Sequence, residues 1–593
     1  MIFIRAKKVA LSIIVVLIMI IPISTQTNAM LYENLKEQYK FSNDFSAWWW
    51  EPVELLTAEF DNTNYISDMA IDADNNLHVI TYGTDDLLSS GTDRDVFYRK
   101  YDYELKSWSE LELVSEGSSD YSEISVIAVD PLGTVHIAWR EGDDILSSGL
   151  DPDIFYRQKT SSGWGVVEVV STESVDVSVY LAIVADSNGF AHVVWEDPAT
   201  FIDADADQDI LYKYRTAAGV WSVAEMVSDL STMNAYLPEI QLDSQENIII
   251  AWHDSTNIIA AGADTDIFFR KLDSDLTTWS STQLISSVSD GESYKAKMST
   301  STDGMIHLVW YDYTDYLDSG VDFDIFHRKY NPNSNSWSIT DVISTESTGN
   351  SWNLEIEIDG TDYLYLAWQD TTDVGGPSSN DNIFFKYLDL NTNIWSSLSV
   401  LTYDHEGIAS FPVLAVDSLG HVHMIFLDTS SILGAGPDQD LFYKKFVGAP
   451  MQPILEEINP NPSSVGNIAL SWSAIQGAKN FSIYRETSPF SSVTGLIPIA
   501  TTNNSYFTDT VDTTGIYYYA IVATNDYGDS LISNTVFVEV VRGTGFFASL
   551  ELSEILVFAG IVLGFQLIFS VLTYALLSSK IQSTSRPKSG KKK

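Results

Sequence analysis

The sequence predicts an all-β extracellular part followed by a single membrane span: a seven-bladed β-propeller, then a β-sandwich, then one transmembrane α-helix. Three observations lead there. An acidic motif recurs at a nearly constant interval, short alternating apolar runs fill each interval, and one uncharged run of helical length stands near the C-terminus. The motif is clearest at 264–271 (Asp-Thr-Asp-Ile-Phe-Phe-Arg-Lys). Near-copies lie at 93–100, 151–157, 207–213, 322–329, 381–386 and 438–445, with Asn382 in place of the second acid in the sixth. That second position falls at Asp95, Asp153, Asp209, Asp266, Asp324, Asn382 and Asp440, in steps of 58, 56, 57, 58, 58 and 58 residues. A fixed period of this length marks units that stack in a row or radiate about an axis.

In chain order, residues 1–29 read as a signal peptide: Arg5, Lys7 and Lys8 precede an apolar run, Val9 to Ile23, and Thr27-Asn28-Ala29 supplies the small residues of a cleavage site. A retained anchor is the plainer alternative, and either places the bulk of the chain outside the cell. Residues 30–49 form a leader without clear period. The propeller is then expected over 50–448. In the second repeat the alternation predicts strands at Ile124 to Asp130, Val135 to Trp139, Ile154 to Gln158 and Gly165 to Ser171, four per unit as in a propeller blade. A tryptophan opens the fourth strand six times, at Trp108, Trp164, Trp221, Trp279, Trp337 and Trp395. The seventh is at the front, where Trp50-Glu-Pro-Val-Glu-Leu-Leu-Thr aligns without a gap on Trp108-Ser-Glu-Leu-Glu-Leu-Val-Ser. The first strand therefore completes the last blade, which closes the ring and hides two strand edges.

Composition limits what such a scaffold does. With 593 residues and 45% apolar content there is material for several cores. There is no cysteine, so disulfides, thiolate metal sites and catalytic thiols are excluded. The formal charge is −49. Nine of the 32 basic residues sit at the two termini, leaving 23 against 81 acids between Met30 and Leu577, a balance of −58. A field of that sign repels nucleic acid and anionic lipid and favours cations. His78, His136, His192, His307 and His423 share one place in the second strand, which Ile249 and Tyr365 also fill, so they read as packed strand residues.

The turns before the tryptophans, such as Ser161-Ser-Gly-Trp164 and Asp273-Ser-Asp-Leu-Thr-Thr-Trp279, look like worn Asp-boxes. With second strands such as Ile306-His-Leu-Val-Trp310, this region resembles the sialidase-like, or BNR-repeat, propellers over about 400 residues. That resemblance implies an arginine triad, a tyrosine–glutamate nucleophile pair and an aspartate acid for glycoside chemistry. The arginines do not follow it. Arg99, Arg157, Arg270 and Arg328 share one repeat position that Lys213, Lys386 and Lys444 also fill, and Arg140 with Arg215 is too few for a triad. No catalytic residue is assigned.

Over 451–541 the period gives way to seven short strands. Leu470-Ser-Trp472 and Tyr517-Tyr-Tyr-Ala-Ile-Val-Ala-Thr-Asn525 resemble a fibronectin type III domain, which implies a structural core role for Trp472 and a tyrosine corner at Tyr517. After a linker, 542–554, residues 555–577 carry no charge over 23 positions, about 34 Å of helix, enough to cross a bilayer. The basic tail 578–593 then stays in the cytoplasm. Gly560 and Gly564 form a small-x-x-x-small step through which two copies could pair.

Acids at the end of the second strand precede the third-strand marker by a constant 12 residues, so one hairpin brings both together. The sets are Glu141 with Asp151 and Asp153; Asp197 with Asp207 and Asp209; Asp254 with Asp264 and Asp266; Asp312 with Asp322 and Asp324; and Asp428 with Asp438 and Asp440. Carboxylates crowded this way repel unless a cation or hydrogen bonds offset them, and calcium suits irregular oxygen-rich loops. The plainer reading makes them turn-formers. The expected protein is thus a single-pass cell-surface binding or adhesion protein, its propeller recognising an external glycan or protein. A divergent glycoside hydrolase and a structural envelope component are the alternatives.

Overall fold

The computed structural model describes residues 48–541, apart from 66–67, 199–201, 203–206, 260, 263, 318, 375–380, 437, 449–451, 474, 476–477, 526–527 and 531, together with 561 and 563–576. The expected signal peptide, most of the leader, the linker and the cytoplasmic tail lie outside the described residues. The chain divides into two compact units, Met1–Ala449 and Pro450–Lys593.

The first unit is seven antiparallel sheets of four or five strands. In the second sheet the strands are Ser122–Val129, Val135–Glu141 and Asp153–Thr160, with an outer edge of Gly163–Trp164 and Glu168–Val169. The outer strand, expected to be continuous, is two short pieces. Trp164 pairs with Lys159 and Glu168 with Tyr156, so four steps on the edge face three on its partner, and the extra residue is a bulge. The inner strands adjoin in sequence: Asp68–Ile71, Ser122–Val129, Val179–Ala185, Ala235–Leu242, Ser293–Thr300, Ser351–Ile358 and Ala409–Val416, the last lying again beside the first. This closed ring is a β-propeller. Trp48–Trp50 and Glu54–Leu55 pair with the third strand of the last sheet, Asp440–Gly448, in the register Trp50↔Phe446 and Leu55↔Phe442.

The repeated residues explain how the sheets adhere. Trp139, Trp195, Trp252, Trp310 and Trp368 of the second strands are fully buried. Each removes about 200 Å² from water, an upper estimate of roughly 5 kcal/mol. The basic column reaches across to the preceding sheet. Arg99 Nη1 donates to Leu56 O (2.7 Å), Arg157 to Val114 O (2.9 Å), Lys213 Nζ to Val170 O (2.8 Å), and Arg270, Arg328, Lys386 and Lys444 do the same in their sheets. These cations are sheet-to-sheet clamps, which is why lysine substitutes for arginine. The histidines tie the third strand, and in several sheets the inner hairpin turn, to the second strand. His136 Nδ1 lies 2.7 Å from Tyr156 OH while its Nε2 lies 3.2 Å from Asp130.

One irregularity positions the site. Near the start of the inner strands the ladder slips, between Glu123 and Val126, Tyr236 and Glu239, Tyr294 and Lys297, Trp352 and Glu355, and Ser410 and Val413. Within these slips Ile124, Leu237, Lys295, Asn353 and Phe411 have φ of 45–50°. Such bulges re-aim side chains, here at the end of the ring that carries the loops between second and third strands.

The second unit has a two-stranded sheet, Asn467–Ser471 with Tyr506–Thr510, and a five-stranded sheet built on Asn480–Glu486 and Gly515–Asn525. Between them Trp472, Phe481, Ile483, Tyr519 and Val538 share one core. Tyr517 OH donates to Thr513 O (3.2 Å), four residues upstream. Residues 563–576 are helical. Among the described residues no helix is long and apolar enough to cross a membrane; the rest of the expected span, apart from 561, including Gly560, lies outside them.

Candidate functional site

The hairpins between second and third strands place all the expected acids at one end of the ring. Register pairs set Glu141 opposite Asp153, Asp197 opposite Asp209, Asp254 opposite Asp266, Asp312 opposite Asp324 and Asp428 opposite Asp440. The two members of each pair do different work. Glu141 accepts from Ser118 Oγ (2.7 Å), Ser122 Oγ (2.7 Å) and Trp139 Nε1 (3.1 Å). Asp312 takes the equivalent bonds from Ser289, Ser293 and Trp310, and Asp428 is bonded to His405 Nδ1 at 2.5 Å. These second-strand acids are hydrogen-bond hubs. The third-strand acids each accept one hydroxyl from the outer strand: Ser115 to Asp95 (2.8 Å), Ser171 to Asp153 (2.6 Å), Ser286 to Asp266 (2.5 Å), Ser344 to Asp324 (2.6 Å) and Thr57 to Asp440 (3.1 Å). Burial pushes the carboxyls of Asp95, Asp153 and Asp324 up to about 6 and that of Asp266 to about 7. Among the described residues no three histidine, aspartate or glutamate side chains are grouped to hold a metal ion. In the Glu141, Asp197, Asp312 and Asp428 sets a hydroxyl or imidazole donor already occupies the second-strand member, whereas Asp254, opposite Ala235, keeps Oδ2 without a partner.

A different set of residues breaks the sevenfold repeat. Immediately before each second-strand acid, or before Gly83 in the first sheet, stand Tyr82, Arg140, Glu196, His253, Tyr311, Gln369 and Leu427, seven positions with no shared residue type except tyrosine. The flanking positions repeat almost unchanged. Their cross-strand partners on the inner strands include Glu123, Tyr236, Tyr294, Trp352 and Ser410. Where the pattern is polar, Glu123 accepts from Arg94 of the first sheet and from Arg140 (2.8 Å), while Arg94 lies 4.6 Å over the Tyr65 ring and Arg140 5.3 Å over Tyr121. Where it is aromatic, the rings run on from sheet to sheet. Tyr236 lies 5.7 Å from His253, His253 5.2 Å from Tyr294, Tyr294 5.8 Å from Tyr311, and Phe323 5.3 Å from Tyr311 and 5.2 Å from Tyr313. Tyr294 OH donates to Glu292 Oε2 (3.1 Å), which also receives Thr265 N (3.2 Å). Those bonds, the Thr265 contact foremost, hold Glu292 low; burial raises Tyr294 and lowers His253 to about 4. Glu196 is almost fully enclosed, with Leu237 N at 2.5 Å, and burial raises it to about 8.

Below the bulges the inner strands carry a charged cluster about the ring axis. Lys297 Nζ bridges Glu239 (3.3 Å) and Glu355 (3.1 Å) from the neighbouring sheets. Burial favours the neutral lysine, but the two carboxylates outweigh it and hold Lys297 charged; burial raises Glu239 to about 7. Asp68 of the first sheet, raised by burial to about 6, feels Lys297 across the axis, and Lys295 reaches the Phe411 ring two sheets away at 5.8 Å.

Sequence reasoning misses Arg94, which reads as filler between Asp93 and Asp95. It does not complete a triad: Arg94 and Arg140 meet at Glu123, whereas Arg215 is paired with Glu168 (2.7 Å) near the sheet edge. A polar groove of about 370 Å³ lies elsewhere, lined by the turns around Ser301, Asn331 and Asp362 at the far end of the strands, away from the acidic loops and the aromatic arc.

No family model matches the chain, and no curated protein matches it. Among solved structures it is similar to a fungal alcohol oxidase of the AA5 family, with TM-score 0.45 and 12% identity over 84% of this chain and 100% of that one. It is also similar to a PL25 ulvan lyase, with TM-score 0.43 and 10% identity over 64% and 94%. A third is the intramolecular trans-sialidase from Ruminococcus gnavus, with TM-score 0.35 and 14% identity over 65% and 94%. At such identities and scores, ligand and activity rest on this chain's own residues.

Proposed function

We propose that the loop end of a seven-bladed propeller is the ligand-binding face of a cell-surface protein, and that its ligand is a glycan. The observation that carries this reading is the broken column before the second-strand acids. A fold that repeats its basic clamps in all seven sheets and its acid hub in six varies this one position throughout, as Tyr82, Arg140, Glu196, His253, Tyr311, Gln369 and Leu427. Tyr82 and Leu427 serve the core, while Arg140 and Tyr311 are partly exposed. An arc of half-buried rings, Tyr236, Tyr294, Tyr311 and Phe323, joined through the buried His253, offers flat apolar faces to sugar rings, and Tyr313 is 48% exposed beside it. Glu292 borders it with a directional polar group, and Arg94 and Arg140 gather at Glu123 two sheets earlier in the ring. In this reading the second unit is a fibronectin type III-like spacer, 555–577 a membrane anchor, and the tail cytoplasmic. Screening the purified full chain against an array of glycans tests it. Retention of a defined glycan class is expected, and binding to no glycan with binding to a protein partner instead would overturn it.

A second reading follows from one contact. The Tyr294–Glu292 hydrogen bond of 3.1 Å is the kind of pair a divergent sialidase-like hydrolase needs for a tyrosine nucleophile. Release of fluorophore from a sialoside, abolished in Tyr294→Phe, would favour it over simple binding.

A further inference from the structure

The loops leading into the third strands hold a second feature that glycan binding does not use, and the inference from it stands independently of that reading. We propose that the Asp-x-Asp pairs at the head of the third strands bind calcium, one ion per hairpin loop.

The carboxylate oxygens are the observation. In the first sheet Asp93 Oδ2 and Asp95 Oδ2 are both buried and neither has a hydrogen-bond partner; the same holds for Asp151 and Asp153, and for Asp264 and Asp266. Asp95, Asp153 and Asp266 are each about 1% exposed, and Asp324, equally buried, also has an unpartnered Oδ2. The first acid of each pair lies in the bend that leads into the strand and the second opens the strand, so both stand at the end of one hairpin loop. A buried carboxylate oxygen without a donor is unfavourable unless the group is protonated or paired with a cation.

Ser90, Ser148 and Ser319 stand close enough to Asp95, Asp153 and Asp324 to favour their charged forms, and they also bond to backbone. Ser90 Oγ donates to Asp85 O (3.3 Å) and Ser319 Oγ to Thr314 O (3.3 Å). The loop is also the same object from sheet to sheet. Leu88 and Leu146 both have φ 58°, Ser90 N and Ser148 N close on Leu87 O and Ile145 O, and Gly91 N and Gly149 N on Asp86 and Asp144. Gly91 has φ 124°, and a Cβ there would stand 2.5 Å from Asp93 Oδ1, so the chain folds tightly against the carboxylate. Calcium accepts an irregular shell of six to eight oxygens, of which two carboxylates are a usual share; magnesium demands a stricter octahedron. Glu141 and Asp312, committed to serine and tryptophan donors, serve as walls rather than ligands; Asp254, opposite Ala235, keeps a buried Oδ2 without a partner.

The test uses the full chain in detergent micelles, freed of metal with chelator and dialysed to equilibrium against radioactive calcium. Binding is expected to rise toward one ion per intact pair, of which the sequence has six: 93/95, 151/153, 207/209, 264/266, 322/324 and 438/440. Asp264→Asn with Asp266→Asn should remove one bound calcium. Asparagine is tolerated at this place in the fold, since Asn382 occupies it in the sixth sheet and accepts Thr402 Oγ1 at 3.1 Å. In chelator the variant should therefore melt at or above the wild-type temperature. No bound calcium at millimolar concentration, full stoichiometry in the double variant, or equal displacement by magnesium would each overturn the assignment.

Discussion

Replacing Thr57 by valine tests how the ring is sealed. Thr57 Oγ1 donates to Asp440 Oδ1 (3.1 Å) and accepts Leu441 N (3.0 Å), joining a strand from the front of the chain to the last sheet. Valine keeps the volume and branching but does neither. The bond to a carboxylate contributes about 1.5–3 kcal/mol, and a buried Leu441 N–H without a partner costs about 1–3 more, so the variant should lose about 3–5 kcal/mol. An internal standard exists. Ser171 makes the same two bonds in the second sheet, to Asp153 Oδ1 (2.6 Å) and from Ile154 N (2.9 Å), so Ser171→Ala should cost a similar amount. The two differ in what is released. Thr57→Val frees a terminal strand, whereas Ser171 is held by chain on both sides. Thermal melting followed by tryptophan fluorescence measures the cost, and limited proteolysis measures the release: the Thr57 variant alone should be clipped near residue 57 before the rest unfolds. A Thr57→Val midpoint equal to wild type, with no early cut, would refute the sealing role.

Three further outcomes are expected. Glu196 is raised by burial from its ordinary 4.5 to about 8, so the native state holds a proton the unfolded chain releases. Its stabilising share is full below pH 4.5 and is lost as pH rises through 8. Glu196→Gln should thus match wild type in urea at pH 4.5 and exceed it at pH 9 by on the order of 4 kcal/mol; parallel profiles would contradict this. Lys297→Met leaves Glu239 and Glu355 facing each other and should cost about 2–4 kcal/mol at pH 8, a loss that adding Glu239→Gln largely restores; the check is a double-mutant cycle in the melting midpoints. Protease added to intact cells should release the propeller and leave a small membrane-bound fragment, whereas protection until lysis would reverse the orientation.

The 58-residue period was enough to place the sheets and strands, because each repeated residue has a repeated structural duty: tryptophan in the core, arginine or lysine on the preceding sheet's carbonyl, histidine on the third strand. The pairing of Glu141 with Asp153 was equally readable, since a constant spacing across a hairpin fixes register. What Glu141 does was not. Its donors Ser118 and Ser122 come from a segment 23 and 19 residues earlier, joined to it only by the fold. The inner-strand bulges were also hidden, because left-handed backbone at Ile124 or Leu237 has no glycine to announce it. Alternation counted through a bulge assigns side chains to the wrong face, and Glu123 and Tyr294 stand next to such bulges. The broken column was legible in principle. Comparing repeats position by position, for difference rather than likeness, singles out Arg140, Glu196, His253 and Gln369 without any structure.

The most direct measurement compares the affinity of the full chain for the glycan it retains with that of two variants, Tyr294→Ala in the aromatic arc and Asn391→Ala in the groove at the far end of the strands. Loss of one central stacking ring should weaken binding about tenfold or more, while the far-end substitution leaves it unchanged. Equal affinity in Tyr294→Ala, or loss confined to Asn391→Ala, would contradict the assignment of the binding face.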